Sequence, residues 1–258
     1  MKIITLAENI SSLKGIGAEH GLSIYIETDK HNILFDMGQT ELFYHNAQKL
    51  GVDLKNVDFA VLSHGHYDHG GGLSLFLEIN KTAKVYMHKS AFEPHYNGTE
   101  KYIGLDKQLI SSDRIIFTDN TYKIVDGIEL YACNDKERHF DHSSHGLNTF
   151  IGDRFVQDNF IHEQYLLIEE NGKRVLFSGC SHKGILNIAE WFAPDVLVGG
   201  FHFSKTPLDE KLSASAKALN EYDTYYYTCH CTGKEQYDHM SRYIKRLSYL
   251  SCGQSIII

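Results

Sequence analysis

The chain has 258 residues, of which 42% are hydrophobic and 22% charged, with a net charge of −8. This composition is typical of a folded globular protein and excludes disorder, collagen-like repeats and coiled coils. The negative charge provides no basic surface for a phosphate backbone, so we expect a small-molecule substrate and no nucleic-acid partner. The opening residues MKIITLAENI lack the apolar core of a signal peptide, and no apolar run reaches about 18 residues. We therefore expect a cytoplasmic protein with no membrane partner.

Cysteine and histidine counts point to metal chemistry. The five cysteines are odd in number and scattered, which suits reduced thiols or metal ligands better than a disulfide framework. Sixteen histidines are many for this length. Because neutral imidazole is the commonest protein metal ligand, this count favours a metalloenzyme, with a histidine-rich surface as the alternative.

The first part of the chain predicts a sheet with covering helices. Alternating apolar residues predict strands over 2–6, 22–27 and 32–35, and helical spacing predicts a helix over 41–50 that ends at Gly51. The apolar run 59–62 predicts a strand that stops at Ser63 before a glycine-rich segment. A helix over 72–79 and a strand over 84–87 follow, so residues 63–72 are expected at the end of a strand.

The second half repeats this alternation. Strands are predicted over 164–168 and 174–178 around the Asn171-Gly172 turn, and later over 196–198 and 224–228. Helices are predicted over 184–192, 209–220 and 234–247, the last with Met240, Ile244 and Leu247 on its buried face. No linker divides the chain, so we expect one domain over 1–258. Residues 89–160 are the least regular stretch and predict an insertion that shapes a pocket.

The segment after the predicted strand 59–62 carries the strongest chemical signal. His64, His66, Asp68 and His69 place four candidate ligands within six residues. In a loop that leaves a strand, His64 and His66 can converge on one ion while Asp68 and His69 turn toward a second. The alternative is a set of solvated polar side chains on a surface loop.

With this His-x-His-x-Asp-His pattern after a strand, the chain resembles the metallo-β-lactamase superfamily. The resemblance implies an α+β fold, an αββα sandwich with its metal site at one edge between two sheets. It also implies that Asp36 supports the metal loop from behind. Further segments resemble the subgroup of metal-dependent hydrolases and dihydropterin-ribofuranosylaminobenzene-phosphate synthase-like proteins: residues 19–23, 178–182, 199–202 and 229–233.

The resemblance implies further ligands whose assignment stays open. The superfamily has a bridging Asp after a strand-end glycine, but here Gly179 is followed by Cys180. A thiolate binds zinc and favours softer ions, whereas a buried packing role is the alternative for Cys180. His182 is the preferred third ligand of the first metal, and His162, near the superfamily's usual third-histidine position, competes with it. His230, after the strand 224–228, is expected to ligate the second metal.

The remaining histidines and thiols are interpreted as follows. His202 is expected to contact substrate or leaving group, with a loop-ordering hydrogen bond as the alternative. Strand alternation is expected to turn Cys229 and Cys231 away from His230 as small buried hydrophobes. The loop histidines are expected to be solvated: His139, His142 and His145. Five others are assigned no role: His31, His45, His88, His95 and His239.

These residues predict a metal-dependent hydrolase. Two divalent ions would supply a metal-bound hydroxide, with Asp68 as ligand and hydrogen-bond acceptor, for attack on a small anionic or phosphorylated substrate. Zinc is the first expectation for the metal, with iron or manganese as alternatives. The chain has no Gly-x-Ser-x-Gly elbow, Walker loop or dinucleotide fingerprint. The alternatives are a synthase that joins a pterin to a ribofuranosylaminobenzene phosphate, and an iron redox or metal-sensing protein.

Overall fold

The structure is a computed structural model that describes residues 1–141 and 143–258. Its strands are β1 (Lys2–Ala7), β2 (Ser23–Glu27), β3 (Asn32–Phe35), β4 (Phe59–Val61), β5 (Lys84–His88), β6 (His95–Asn97), β7 (Lys101–Tyr102), β8 (Ile115–Thr118), β9 (Thr121–Val125), β10 (Ile128–Tyr131), β11 (Leu147–Ile151), β12 (Arg154–Gln157), β13 (Tyr165–Glu170), β14 (Lys173–Ser178), β15 (Val196–Gly199), β16 (Tyr225–Thr228), β17 (Leu247–Tyr249) and β18 (Ser255–Ile257).

The helices are short and surround the sheets. They are α1 (Leu42–Lys49), α2 (Tyr67–Gly70), α3 (Leu73–Ile79), α4 (Ile185–Phe192), α5 (Glu210–Asn220) and α6 (Lys234–Met240), with 3₁₀ turns at Leu54–Asn56, Lys107–Ser111 and His230–Thr232. Within the described ranges, none of these helices has the length and apolar character needed to cross a membrane.

Two seven-stranded sheets form the centre of the fold. The first has the order β18-β1-β2-β3-β4-β5-β8, and the second has the order β17-β16-β15-β14-β13-β10-β9. In the first sheet β3, β4, β5 and β8 run parallel. In the second sheet β14, β15, β16 and β17 run parallel. Parallel neighbours end at the same edge, so the loops that follow these strands gather side chains for a site there.

Three hydrophobic layers hold the sheets and helices together. Phe35 of β3 and Phe177 of β14 meet between the two sheets, with ring centroids 5.8 Å apart. Phe43 of α1 packs on the outer face of the first sheet. Ile188 of α4 and Leu212 of α5 pack on the outer face of the second. The order helix, sheet, sheet, helix is the αββα sandwich that the resemblance implied.

Residues 89–160 are more regular than their sequence predicts. β8 extends the first sheet, and β9 and β10 extend the second. The strands β6, β7, β11 and β12 form a separate four-stranded sheet with the order β12-β11-β6-β7. These strands have only two to five residues. Such short alternations are too brief to be recognised by periodicity alone.

The predicted helix over 234–247 is wrong in its last part. α6 ends at Met240, and Leu247 begins β17, which pairs in parallel with β16. The carbonyl of Arg246 accepts the backbone N–H of Tyr226 at 2.8 Å, so the chain completes the edge of the sheet instead of extending the helix. Met240 and Ile244 are still buried, as their helical spacing indicated.

One glycine is required where β14 and β15 meet beside the site. Gly199 pairs with Ser178 and has a φ of +144°. A Cβ at this position would lie 1.7 Å from the carbonyl oxygen of Ser178. We therefore expect Gly199→Ala to lower the free energy of unfolding by at least about 3 kcal/mol, the upper end of ordinary single substitutions.

Urea denaturation of Gly199→Ala and Gly152→Ala tests this expectation. Gly152 has a φ of +65°, and a Cβ there would meet no described neighbour within 4 Å, so this position isolates backbone strain, worth about 1–2 kcal/mol. Equal losses in the two variants would contradict a steric role for Gly199.

Candidate metal centre

A buried aspartate organises the metal loop. Asp36 follows β3, has a φ of +59° and is fully buried. Its Oδ1 accepts the backbone N–H of Ser63 at 2.7 Å, and its Oδ2 accepts the Ser63 hydroxyl at 2.7 Å. The same Oδ2 lies 2.6 Å from Nδ1 of His69. One carboxylate therefore ties the end of β3 to both ends of the motif that follows β4.

These contacts fix the tautomers of two candidate ligands. Ser63 gives its hydroxyl proton to Asp36, so its oxygen accepts the Nδ1–H of His64 at 2.8 Å. His69 donates its own Nδ1–H to Asp36. A neutral imidazole carries one N–H, so both rings present a bare Nε2. This is the arrangement of metal-binding histidines, whose second nitrogen is held by a carboxylate or hydroxyl.

The first donor set consists of His64, His66 and His182. One ligand atom from each lies within 4.8 Å of the others, and all three side chains are buried. Nε2 of His64 and Nε2 of His182 are 3.2 Å apart, close to the roughly 3.3 Å between ligands of a tetrahedral zinc ion. Nε2 of His66 is buried and has no hydrogen-bond partner among the described residues. Nε2 of His64 is unprotonated, Nε2 of His66 is unpaired, and the three rings converge, which fits a divalent cation.

Glu163 and Phe160 place His182 in this set. The carboxylate of Glu163 accepts the backbone N–H of His182 at 2.7 Å and that of Lys183 at 3.0 Å. The ring of His182 stacks on Phe160 with centroids 4.4 Å apart and an interplanar angle of 8°. The turn after β14 therefore holds the histidine that the sequence preferred as the third ligand.

The second donor set consists of Asp68, His69, Cys180 and His230. Nε2 of His69 lies 3.2 Å from Sγ of Cys180 and 3.2 Å from Nε2 of His230. Oδ2 of Asp68 lies 3.4 Å from Nε2 of His230. His64, His69 and Cys180 also fall within one 4.8 Å group, so the two sets adjoin with Cys180 between them.

The N-terminal segment orients His230. Oδ1 of Asn9 lies 2.8 Å from Nδ1 of His230, and Glu8 accepts the backbone N–H of His230 at 3.0 Å. The amide oxygen of Asn9 can only accept, so His230 carries its proton on Nδ1 and presents a bare Nε2. The N-terminal segment, for which the sequence predicts no ligand, therefore orients a ligand of the second donor set.

Burial and neighbouring charges set the protonation of the two sets. Burial lowers the pKa of His64, His66 and His182 well below the usual value. Burial alone would lower the pKa of His69 too, but the carboxylates of Asp36 and Asp68 outweigh it and raise that pKa.

The pKa values of the two anionic donors, Asp68 and Cys180, shift in opposite directions. Burial opposes the charge of Asp68, but His69, His20 and His230 outweigh it and hold the pKa of Asp68 well below its usual range. Burial, followed by Cys231, raises the pKa of the Cys180 thiol. A buried thiol of this kind ionises when a cation lies beside it. Imidazole nitrogens, a carboxylate and a thiol together suit zinc and other borderline-soft divalent ions.

Two expectations about the neighbouring cysteine and histidines are wrong. Cys231 was expected to face away from His230 by strand alternation, but His230–Thr232 is a 3₁₀ turn. The thiol of Cys231 instead lies within 4.8 Å of the ligand atoms of Cys180 and His230. His95 was assigned no role, yet it belongs to a buried group with His66, Asp158 and His162. Neither Asp158 nor this grouping had a sequence signal, because His66, the β6 residue His95 and the segment 158–162 are far apart in the sequence.

Cys229 is fully buried between the sheets, as expected. Several other histidines lie at exposed or half-buried positions. His20 lies over the second donor set, with its Nε2 3.3 Å from Oδ2 of Asp68 and its side chain 57% exposed. His139 is exposed and pairs with Glu190, whereas His145 is half-buried beside His202. His142 lies outside the described residues.

A cavity of about 630 Å³ opens beside the first donor set. His182 and His202 line its inner side, and Phe203 and Leu212 contribute apolar surface. Its charged side chains are Lys205 and Lys211, which are positive, and Asp141 and Asp209, which are negative. The ring of His202 lies 4.3 Å from that of His182, and its φ is +58°. Burial, followed by His145, lowers the pKa of His202 to about 3. His202 therefore stands between the donor sets and the space in which a substrate fits.

The buried histidines make a prediction for the metal-free protein. Burial lowers the pKa of His162 and of His230 to about 4 from a usual value of 6.5. The unfolded chain takes up these protons near pH 6.5 and the folded chain only near pH 4, so their contribution to stability is lost as the pH falls through this window. His69, with its raised pKa, works in the opposite direction.

We expect each such histidine to lower the free energy of unfolding by about 2 kcal/mol when the pH falls from 7 to 5. Urea denaturation of the metal-free protein at the two pH values measures the sum. Equal stability at pH 7 and pH 5 would show that these rings are protonated or exposed in the folded state.

Comparison with known proteins agrees with this geometry. The family profile described as the Metallo-beta-lactamase superfamily matches residues 16–230. The solved structure of Tm1679, described as a metal-dependent hydrolase of the beta-lactamase superfamily, is 30% identical with a TM-score of 0.85, covering 100% of this chain and 99% of that one. The 7,8-dihydropterin-6-methyl-4-(beta-D-ribofuranosyl)-aminobenzene-5'-phosphate synthase of Methanocaldococcus jannaschii is 29% identical over 90% of this chain and 88% of its own.

A more distant structure shares the fold alone. Zn(2+)-bound PqqB from Methylobacterium extorquens is 12% identical with a TM-score of 0.59, covering 100% of both chains. The superfamily profile spans most of the sequence, and the fold and donor geometry agree with it. The chain belongs to the metallo-β-lactamase superfamily.

Proposed function

We propose that the protein is a metal-dependent hydrolase of a small anionic substrate. The observation that carries this proposal is the pair of adjoining donor sets, whose buried nitrogens converge beside a cavity lined by His202 and Lys205. His64, His66 and His182 would hold one divalent ion, and Asp68, His69, Cys180 and His230 would hold a second. Zinc suits these donors best, with iron or manganese as alternatives. Such ions lower the pKa of a bound water and polarise the bond under attack.

Two side chains are proposed to act on the reacting groups. Oδ2 of Asp68 faces His20, His69 and His230, where it can accept a hydrogen bond from the attacking water. His202 lines the cavity beside His182 and can hydrogen-bond the leaving group there. Asp68 would therefore orient the nucleophile and His202 the group that departs.

The cavity supports an anionic substrate with an apolar part. Lys205 lies close enough to His145 and His202 to help lower the pKa of both, after the larger effect of burial. An anionic group bound near these three side chains would pair with the Lys205 ammonium and accept hydrogen bonds from the neutral imidazoles. Phe203 and Leu212 provide apolar wall for the rest of the molecule.

A synthase is the second candidate function. The observation that favours it is the relative named as a dihydropterin-ribofuranosylaminobenzene-phosphate synthase. In that case the donor sets and Lys205 would hold a phosphorylated substrate while a second substrate reacts with it. Turnover of a single chromogenic phosphodiester, with no second substrate added, would favour the hydrolase.

Replacing one ligand should lower the metal content of the protein without unfolding it. We expect His66→Ala and His182→Ala each to lower bound zinc by about one ion per chain, and to reduce phosphodiesterase activity at least about 100-fold. Elemental analysis after dialysis and a chromogenic phosphodiester assay measure the two effects. His45→Ala, an exposed histidine on α1 that contacts Glu41, is the matched control and should keep metal and activity. Full metal occupancy in His66→Ala would refute the first donor set.

Cys180 makes a separate prediction because it stands where the superfamily pattern has Asp. We expect Cys180→Ser to weaken the second ion selectively, since a hydroxyl is a poorer ligand than a thiolate. Cys180→Asp should restore part of the two-ion occupancy by supplying a carboxylate. Metal counting on both variants beside His182→Ala tests this. Cys180→Ser with two ions at wild-type affinity would leave Cys180 a packing role only.

A substitution at Lys205 tests whether the substrate is anionic. We expect Lys205→Gln to raise KM for an anionic phosphodiester about fivefold to tenfold with little change in kcat, because a charged contact made equally in ground and transition states is lost. Lys173→Gln, at the exposed start of β14, is the control, because Lys173 does not line the cavity. An unchanged KM in Lys205→Gln would exclude Lys205 from substrate binding.

A further inference from the structure

A second group of buried histidines lies behind the metal loop. His95, Asp158 and His162 join His66 in a group whose ligand atoms lie within 4.8 Å of one another. Oδ2 of Asp158 lies 2.9 Å from Nδ1 of His95 and 3.3 Å from Nε2 of His162. The rings of His95 and His162 stack with centroids 3.8 Å apart. These separations match those within the first and second donor sets, so distance alone also suits a third ion.

The hydrogen bond that His162 accepts from Gly65 excludes His162 as a metal ligand in this geometry. The backbone N–H of Gly65 points at Nδ1 of His162 over 2.9 Å, so this nitrogen accepts and carries no proton. The single proton of the ring is therefore on Nε2, which faces Asp158. A protonated nitrogen has no lone pair for a cation. His64 and His69 have the opposite tautomer, with Nδ1 as donor and Nε2 bare.

We propose that His162 is a positioning residue that holds Gly65, and with it both histidines of the His-x-His pair, in ligand geometry. Oδ2 of Asp158 lies 3.3 Å from Nε2 of His162 and accepts the Nδ1–H of His95. This role deepens the proposed metal site, because it concerns the affinity of the first donor set. In this chain the histidine at the superfamily's usual third-ligand position supports the loop, and His182 supplies the ligand.

The loop has little freedom once Gly65 is held. A Cβ at Gly65 would lie 2.0 Å from the carbonyl oxygen of Ala91, so the backbone passes directly against that residue. Gly65 is thus fixed by Ala91 on one side and by His162 through its N–H. Because it lies between His64 and His66, a displaced Gly65 would move both ligand rings. We therefore expect loss of this hydrogen bond to weaken the first ion without removing any ligand atom.

Two substitutions at position 162 separate positioning from ligation. The side-chain oxygen of Asn takes the place of Nδ1, so His162→Asn keeps an acceptor for Gly65 and loses Nε2. The side-chain oxygen of Gln takes the place of Nε2, so His162→Gln keeps a donor atom there and loses the acceptor. We expect zinc affinity of the first set to stay within about threefold in His162→Asn and to fall roughly 10-fold to 100-fold in His162→Gln.

Zinc affinity is measured by competition with a chelator, with circular dichroism to confirm that each variant is folded. His88→Gln is the matched control, because Nδ1 of buried His88 also accepts a backbone N–H, from Ser90 at 3.2 Å, and His88 belongs to none of the donor groups among the described residues. It should leave zinc affinity unchanged. The reverse order, with His162→Asn losing the first ion and His162→Gln keeping it, would make His162 a ligand. Equal affinities or equal losses in the two variants would also overturn the proposal.

A measurement on the unaltered protein gives an independent answer. Nitrogen-15 NMR of the histidine rings should show His162 with a proton on Nε2 both without metal and with zinc. Loss of that proton on addition of zinc would overturn the proposal. If the protein binds no zinc at all, the proposed function fails, and the Nε2–H tautomer in the metal-free protein still tests the role of His162.

Discussion

The carboxylate of Asp36 is the interaction on which the rest of the centre depends. It is fully buried, and it accepts one backbone N–H, one hydroxyl and one imidazole N–H. A buried carboxylate is stable only when hydrogen bonds and charges compensate its lost hydration. Here the compensating groups are Ser63 and His69, which bracket the metal loop. The same contacts that stabilise the charge therefore shape the ligands.

Proton placement distinguishes ligands from supports among these histidines. Asp36 acts on His69 directly and on His64 through Ser63, and Asn9 acts on His230. In each case Nδ1 is a donor and Nε2 is left bare toward the donor sets. His162 is held the other way round by a backbone N–H. The proposed roles of these chemically identical rings differ because their hydrogen-bond partners differ.

The sequence predicted the parts of the fold and site that depend on local pattern. Alternating strands and helices predicted sheets covered by helices, and the resemblance to a known superfamily implied the αββα arrangement. His64, His66, Asp68 and His69 share one short segment, and the structure brings them together. Strand-end positions also pointed correctly toward Cys180, His182 and His230 as residues near the same edge.

The contacts that the sequence did not reveal are long-range. Asn9 and His230 are separated by 221 residues, and Gly65 and His162 by 97, so no local pattern links them. Cys231 was placed wrongly because a 3₁₀ turn replaces the strand on which alternation relies. β17 was missed because its backbone bonds to β16 outweigh the helical spacing of its side chains.

Anomalous diffraction from crystals of the zinc-loaded protein tests the central claim most directly. Two peaks are predicted, one among His64, His66 and His182 and one among Asp68, His69, Cys180 and His230, with no peak among His95, Asp158 and His162. A peak on His162, or the absence of a peak at His182, would contradict the assignment of ligands and supports from their hydrogen bonds.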